Sequence, residues 1–313
     1  MCNRIFQENV NILKEKIQKD HFIRIWFLQI RGPFLILSIV LVLLGIAMAY
    51  RYRVVNWIDT ILLMMGVLLA HISVNLFNEH SDFQTKIDIY THRTPFSGGS
   101  GLLQANKTSP KTVFITAYIM LILSAIIGFY FVFTSGWILF IFMITGGLSI
   151  RFYTSHLTKW LLGEFLAGLT LGTLVILGVY YALTGNLTFD VIWISIPPGM
   201  LTFLLLFLNE FPDAEADNKG GRYHLVIHFG RKRASLIYTG IMILVYILIL
   251  VAPLIRHIPH TVLIALATFP LAVRTIITVI KHYNNTAQLI PALGVNIVIV
   301  ILTDLLLAAG YFL

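Results

Sequence analysis

Nine long apolar runs constrain this chain more than any other feature of its sequence. A run of about 20 apolar residues can cross a bilayer as an α-helix, in which the backbone hydrogen bonds are made internally. The sequence therefore predicts an all-α integral membrane protein with nine transmembrane helices. They are predicted at about residues 34–50, 57–77, 111–133, 136–153, 160–183, 190–208, 235–255, 261–281 and 287–312.

The composition supports a membrane fold and excludes several other classes of protein. Of the 313 residues, 58% are hydrophobic and 12% are charged, whereas about 25% are charged in a soluble domain. A soluble globule, a disordered chain, collagen and a coiled coil all need more charged or polar residues. The single cysteine, Cys2, excludes an internal disulfide and a Cys-based zinc site.

The first 33 residues are predicted to form a segment separate from the membrane domain at 34–313. Charged residues such as Lys14 and Asp20 precede the first apolar run, so the apolar core of a cleavable signal peptide is missing. Apolar side chains such as Ile12 and Trp26 lie among these charges, which favours an amphipathic helix at the membrane surface. A solvated tail that only tethers the chain is the alternative.

Basic residues decide the predicted orientation. With the N-terminus inside, most Lys and Arg residues fall in inner segments, and only Arg51, Arg53 and Arg256 fall in outer ones. Loops rich in Lys and Arg remain on the cytoplasmic side. We therefore predict a multi-pass protein of the cell membrane with a cytoplasmic N-terminus and long cytoplasmic loops at 78–110 and 209–234. The net charge of +8 is attributed to these loops and not to nucleic-acid binding.

Half of the 14 acidic residues lie in two short patches, one after span two and one after span six. Both patches begin with Asn-Glu-x-x-Asp, at 78–82 and 209–213, and we interpret them as an internal repeat of one supersecondary unit. Residues four apart share one face of a helix. Each motif therefore aims an Asn and an Asp oxygen in the same direction, as does the pair Asp213 and Asp217.

Two such clusters facing one cavity predict a site for a divalent cation and a diphosphate. Carboxylates in a poorly solvated place repel one another unless a cation neutralises them. Oxygen ligands without Cys favour Mg²⁺, which retains coordination positions for phosphate oxygens, and nearby Arg and Lys complete the clamp. The residues alone leave two alternatives open. One is ordinary solvated loops, and the other is an ion-coupled transporter with mid-span acids, for which only Asp304 and Glu164 qualify.

The two motifs and the nine-span pattern resemble the UbiA superfamily of membrane prenyltransferases over nearly the whole chain. The first motif lies within Asn75–Asp88, and the second is Asp213–Asp217, followed by Gly221-Arg222. The chain is most similar to the 1,4-dihydroxy-2-naphthoate polyprenyltransferase branch, on the stretches 31–35, 93–101 and 162–164. It departs from the family pattern where Glu79 replaces the usual Asp, Lys86 stands for a common Gly and His224 for a frequent Thr.

This resemblance implies Mg²⁺-dependent transfer of a polyprenyl group from an allylic diphosphate to an aromatic acceptor within membrane lipid. It implies catalytic roles for Asp82 and Asp213. The implied metal ligands are Asn78, Asp82, Asp213 and Asp217, and the implied diphosphate-binding residues are Arg31, Arg93, Lys159 and Arg222. Arg93 and Arg222 have an alternative role as anchors to lipid headgroups, and Lys159 as a residue that snorkels to the inner face.

The expected acceptor is 1,4-dihydroxy-2-naphthoate, in menaquinone biosynthesis. The alternatives are 4-hydroxybenzoate, homogentisate or a glycerol-based lipid. Tyr153 and Glu164 are considered on the acceptor side, but no acceptor-binding residue is assigned. In the last span, Asn296 and Asp304 are expected to form hydrogen bonds between helices.

Overall fold

A computed structural model describes residues 22–52, 55–86, 94, 98–152 and 161–313. These residues form helices joined by short connections, and they contain no strand. A helical stretch at 22–29 comes first. The helices that follow are α1 (Leu35–Arg51), α2 (Trp57–Thr85), α3 (Pro110–Ser135), α4 (Ile138–Phe152), α5 (Gly163–Thr184), α6 (Phe189–Lys219), α7 (Leu225–Val251), α8 (Phe269–His282) and α9 (Thr286–Phe312).

Eight helical segments of the described chain are long and apolar enough to cross a membrane, by length and composition. Helix α1 reaches this length together with the 3-10 turn at Gly32–Phe34, and α8 together with the 3-10 helix at His260–Thr268. The exception is α4, which has 15 residues. At 1.5 Å per residue it rises about 22 Å, less than the roughly 30 Å of a bilayer core. The described chain therefore confirms a multi-helix membrane fold but not nine full spans. Residues 153–160, into which the fourth and fifth predicted spans extend, lie outside the described residues.

The two acidic motifs lie on helices, so the prediction that they occupy loops is wrong. Helix α2 continues to Thr85 and α6 continues to Lys219, and each motif falls in the last turns of its helix. The sequence pattern marked the end of the apolar stretch, but a helix does not end where its side chains become polar. Pro212 lies inside α6, where it removes one backbone hydrogen bond without ending the helix.

Helices that follow one another in the chain pack together, and the last helix closes the bundle against the first. Helix α2 packs against α3, α6 packs against α5 and α7, and α9 packs against α1 and α6. The predicted hairpin of α3 and α4 forms at Gly136, whose φ of 135° favours glycine. A β-carbon there would lie 2.5 Å from the Tyr181 hydroxyl oxygen, so the turn also needs glycine for space.

Helix α5 is irregular because it approaches α6 very closely. It begins as an α-helix at Gly163–Ala167, passes through a π-helical segment at Gly168–Thr173, and continues as an α-helix to Thr184. A β-carbon on Gly172 would lie 2.5 Å from the Gly199 α-carbon of α6. Glycine at this crossing lets the two backbones meet, and the start of α5 then lies against the end of α6.

Buried polar groups in the bundle are only partly satisfied. The Tyr238 hydroxyl donates to Asn296 Oδ1 at 2.8 Å, and Asn296 Nδ2 donates to the Leu204 carbonyl at 3.2 Å. These bonds join α7, α9 and α6 and confirm the prediction for Asn296. Asp304 is fully buried, but neither of its carboxylate oxygens has a hydrogen-bond partner among the described residues. The predicted interhelical bond of Asp304 is therefore absent from the described part of the chain.

Candidate active site at the polar ends of α2 and α6

A cavity of about 550 Å³ lies between α1, α2, α3, α4, α5 and α6. It extends from the polar ends of α2 and α6 to the level of the α3–α4 hairpin, where Phe131 and Leu139 line it. Most of its lining is apolar, but Arg31, Asn78 and Asn209 line it at the polar helix ends. The shape and lining suit an amphiphile with a long apolar chain and a charged head.

Glu79 organises the first motif from a buried position. Its carboxylate accepts hydrogen bonds from Gln29 Nε2 at 3.1 Å, from Arg31 Nε at 3.1 Å, and from the Ser100 hydroxyl and backbone N–H at 2.5 and 2.9 Å. Arg31 Nη2 also lies 3.8 Å from Asp82 Oδ2. Glu79 therefore fastens Arg31 and the segment around Ser100 to the end of α2, while Arg31 connects this network to the cavity.

Arg222 joins the two acidic motifs. It follows α6, and its guanidinium binds Asp82 of α2 through Nη2 and lies 3.4 Å from Asp217 Oδ1 of α6 through Nη1. The side chains of Asp82 and Asp217 are 9% and 7% exposed, so the shared positive charge of Arg222 compensates two buried carboxylates. Two motifs far apart in the sequence thus form one site.

A second group of ionisable side chains lies beside Asp217. His224 Nε2 is 3.4 Å from Asp217 Oδ2, and His224 Nδ1 is 3.4 Å from Glu210 Oε2. Glu164, at the start of α5, accepts a hydrogen bond from the Leu225 backbone N–H at 2.7 Å. All three of Glu164, Glu210 and His224 are buried.

Most of the predicted site residues that lie within the described part of the chain come together in the structure. Asn78 lines the cavity, Asp82, Asp217, Arg31 and Arg222 form the ion-pair network, and Asp213 is half-buried on the same turns of α6. Arg93, Lys159 and Tyr153 lie outside the described residues. Glu164 does not line the described cavity, so its predicted place on the acceptor side gains no support.

The site also contains residues to which the sequence assigned no role. Gln29 binds Glu79 from a segment that no motif marks, and Ser100 binds it from the stretch 93–101, which indicated only the family branch. Asn209 lines the cavity, and its buried Oδ1 has no hydrogen-bond partner among the described residues. In the sequence, Asn209 is the counterpart of Asn78 in the repeat, whereas His224 stands out only as a departure from the family pattern.

Comparison with known proteins identifies the family to which the chain belongs. The sequence profile of the UbiA prenyltransferase family matches residues 37–295, most of the chain. The chain belongs to the UbiA prenyltransferase family. It is therefore an enzyme. Its family favours the prenyltransferase hypothesis over the transporter hypothesis.

Two UbiA-family relatives are similar over most of their length. A 1,4-dihydroxy-2-naphthoate octaprenyltransferase of Bacillus subtilis is 28% identical over 233 residues, 74% of this chain and 74% of the relative. A 2-carboxy-1,4-naphthoquinone phytyltransferase of Synechocystis is 22% identical over 299 residues, 92% of this chain and 93% of the relative. These relatives match the branch that the sequence motifs indicated.

Solved structures of other proteins show the same fold. A digeranylgeranylglyceryl phosphate synthase superposes with a TM-score of 0.64 at 19% identity, covering 93% of this chain and 98% of that chain. A UbiA homologue from Archaeoglobus fulgidus, bound to DMAPP and Mg²⁺, superposes with a TM-score of 0.62 at 12% identity, covering 90% and 98%. At these identities the likeness concerns the fold.

Proposed function

We propose that this enzyme transfers a polyprenyl group from its allylic diphosphate to 1,4-dihydroxy-2-naphthoate, with Mg²⁺ as cofactor. The observation that carries the proposal is the meeting of both acidic motifs across Arg222, beside the polar end of an apolar cavity of about 550 Å³. A polyprenyl diphosphate has the same division into a charged head and a long apolar tail.

The donor atoms at the polar end fit Mg²⁺. Asn78, Asp82, Asp213 and Asp217 offer oxygen ligands only, which suits a hard cation. The unpartnered Asn209 Oδ1 adds a further oxygen beside them. When bound, Mg²⁺ would neutralise the charge that develops on the diphosphate as its bond to carbon breaks.

The protein's own residues perform the remaining tasks. Arg31 and Arg222 face the acidic motifs and would turn toward the diphosphate oxygens, which guanidinium groups bind in a forked geometry. We propose Arg93 and Lys159 as further diphosphate ligands. The apolar cavity holds the prenyl chain away from water, and Phe34, which lines the cavity near Arg31 at its polar end, would stabilise positive charge on the allylic carbon.

The transfer replaces one bond to the allylic carbon with another. The carbon–oxygen bond breaks, and its electron pair leaves with the diphosphate. A ring carbon of the acceptor forms the new carbon–carbon bond. The ring becomes aromatic again when that carbon releases a proton, or carbon dioxide where it carries the carboxylate. The catalytic groups Asp82 and Asp213 act by holding the cation that the leaving diphosphate needs.

Support for a naphthalene-type acceptor comes from the two relatives, whose names both specify such a ring. Support for a cell-membrane location with a cytoplasmic N-terminus comes from the basic residues on one side of the predicted spans. In this orientation the acidic motifs face the cytoplasm.

A product assay by mass spectrometry tests the proposal. Purified enzyme in lipid nanodiscs with Mg²⁺ is incubated with geranylgeranyl or longer diphosphates and with each of four acceptors: 1,4-dihydroxy-2-naphthoate, 4-hydroxybenzoate, homogentisate and a glycerol-based lipid. We expect a prenylated product with the naphthoate. A product from another acceptor alone would refute the acceptor, and no prenylated product from any pairing would refute the proposed reaction.

Variants at the two ends of α2 test the site. Asp82→Asn should reduce turnover by about 10²–10³-fold, the effect of removing one group that stabilises charge in a transition state. Asp59→Asn is the matched control, because Asp59 lies in the first turn of α2 and contacts Tyr130. Normal turnover by Asp82→Asn under saturating Mg²⁺ would exclude the metal-binding role.

A further inference from the structure

Three ionisable side chains form a compact cluster next to the acidic motifs. Glu164, Glu210 and His224 each offer one ligand atom, and these atoms all lie within 4.8 Å of one another. They come from the start of α5, the last turns of α6 and the residue before α7. The close glycine crossing of α5 and α6 brings the two glutamates together. None of these residues belongs to the proposed Mg²⁺ ligands.

Several buried polar atoms of the cluster have no hydrogen-bond partner among the described residues. Glu164 is 0% exposed, and its Oε2 atom has no hydrogen-bond donor among the described residues. Glu210 Oε2 and both ring nitrogens of His224, which is 3% exposed, also make no hydrogen bond among the described residues, although Nδ1 lies 3.4 Å from Glu210 Oε2 and Nε2 lies 3.4 Å from Asp217 Oδ2. Buried polar atoms nearly always have a partner, because each one left without costs about 1–3 kcal/mol.

We propose that Glu164, Glu210 and His224 bind a second divalent metal ion, a first-row transition metal such as Mn²⁺ or Zn²⁺. A dication balances the two carboxylates and gives a partner to Glu164 Oε2, Glu210 Oε2 and His224 Nδ1. An imidazole among the ligands favours transition metals over Mg²⁺ and Ca²⁺, which bind oxygen. Three protein ligands leave room for water in the remaining coordination positions.

The orientation of His224 assigns a role to each ring nitrogen. Nδ1 faces Glu210 and the cluster, whereas Nε2 faces Asp217. With Nδ1 on the metal, the Nε2–H group donates to the Asp217 carboxylate, an arrangement that fixes the ring and strengthens the ligand. Asp217 also contacts Arg222, which binds Asp82. The second metal therefore holds Asp217 in position for the diphosphate site. This proposed role is the same whichever acceptor the enzyme uses.

Metal analysis of the full-length protein in nanodiscs tests this proposal without an activity assay. The protein is stripped with a chelator, loaded with Mn²⁺ in the presence of a large excess of Mg²⁺, and exchanged into metal-free buffer. We expect one equivalent of Mn²⁺ in the wild-type protein by mass spectrometry, and none in Glu164→Gln or His224→Ala. Asp82→Asn should retain the Mn²⁺, because Asp82 belongs to the other site.

Two surface residues offer matched controls. Glu215 lies on the same turns of α6 with its side chain 80% exposed, and His228 is exposed in the first turns of α7. Glu215→Gln and His228→Ala should both retain the Mn²⁺. Equal retention in Glu164→Gln and the wild type would overturn the proposal. No retention in the wild type would also overturn it, since a proton shared between the two glutamates would then hold the cluster together.

A spectroscopic measurement on the wild-type protein keeps the proposal testable if the His224 variant does not fold. Mn²⁺ bound at this site should show hyperfine coupling to an imidazole nitrogen in pulsed electron paramagnetic resonance. Retained Mn²⁺ without such nitrogen coupling would lie on oxygen ligands elsewhere, and it would overturn the assignment.

Discussion

The substitution Arg222→Gln tests how the two acidic motifs are held together before substrate binds. Arg222 is the group that links Asp82 of α2 to Asp217 of α6. Glutamine keeps a polar side chain of moderate length but removes the positive charge. The two buried carboxylates then lose the positive charge that they share, and Arg31, 3.8 Å from Asp82 Oδ2, compensates only the first of them. We therefore expect a less stable protein in the absence of Mg²⁺.

The size of the effect follows from distance and burial. At the 3.4 Å between Arg222 Nη1 and Asp217 Oδ1, the Coulomb attraction is about 5 kcal/mol at an effective dielectric constant of ~20. Desolvation offsets part of this, and removing one partner of a buried pair costs about 3–5 kcal/mol. The Arg222 side chain is 20% exposed, so we expect a loss near the lower end of that range.

Mg²⁺ should restore much of the lost stability, because it replaces the missing positive charge. Binding to the native state alone at a hundredfold excess over Kd stabilises a protein by about 2.7 kcal/mol. The measurement is the unfolding free energy in mixed micelles with and without Mg²⁺. We expect Mg²⁺ to stabilise Arg222→Gln more than the wild type, in which Arg222 competes for the same carboxylates.

Arg231→Gln is the matched control for this experiment. Arg231 Nη2 lies 3.4 Å from Glu215 Oε1, the same distance as in the Arg222–Asp217 pair, but the Glu215 side chain is 80% exposed. An exposed pair contributes about 0–1 kcal/mol. If Arg222→Gln proved no less stable than Arg231→Gln without Mg²⁺, or if Mg²⁺ stabilised both equally, the proposed role of Arg222 would be refuted.

Two further predictions concern the coupling of the motifs and the helix crossing that supports them. The double variant Asp82→Asn/Asp217→Asn should lose little more turnover than the worse single variant, because both residues act on one shared diphosphate. If the double variant lost turnover by the product of the two single losses, the residues would belong to independent sites. Gly172→Ala should lower the unfolding free energy by about 1–3 kcal/mol, because its β-carbon would lie 2.5 Å from Gly199 Cα. Gly240→Ala is the control and should be tolerated, because an added β-carbon at Gly240 of α7 meets no atom within 4 Å. Equal stability of the two variants would argue against the close crossing of α5 and α6.

The two acidic motifs illustrate how far the sequence could locate the site. Their spacing predicted that each would point an Asn and an Asp in one direction, and both lie at polar helix ends as expected. Their placement in loops was wrong, because hydropathy reports where a helix leaves the apolar layer and says nothing of where its hydrogen bonds end. Helix α6 continues past Pro212 to Lys219 because one missing backbone hydrogen bond does not stop it.

The sequence by itself determined the membrane fold, the repeated acidic motifs and the family, since these depend on composition and spacing along the chain. Only the tertiary structure decided which side chains meet. Arg222 binds Asp82 across the bundle, Ser100 and Gln29 bind Glu79, and His224 lies beside Glu210. Such contacts depend on how closely the helices approach. At α5 and α6 that approach depends on glycines whose importance is visible only once the two backbones are placed together.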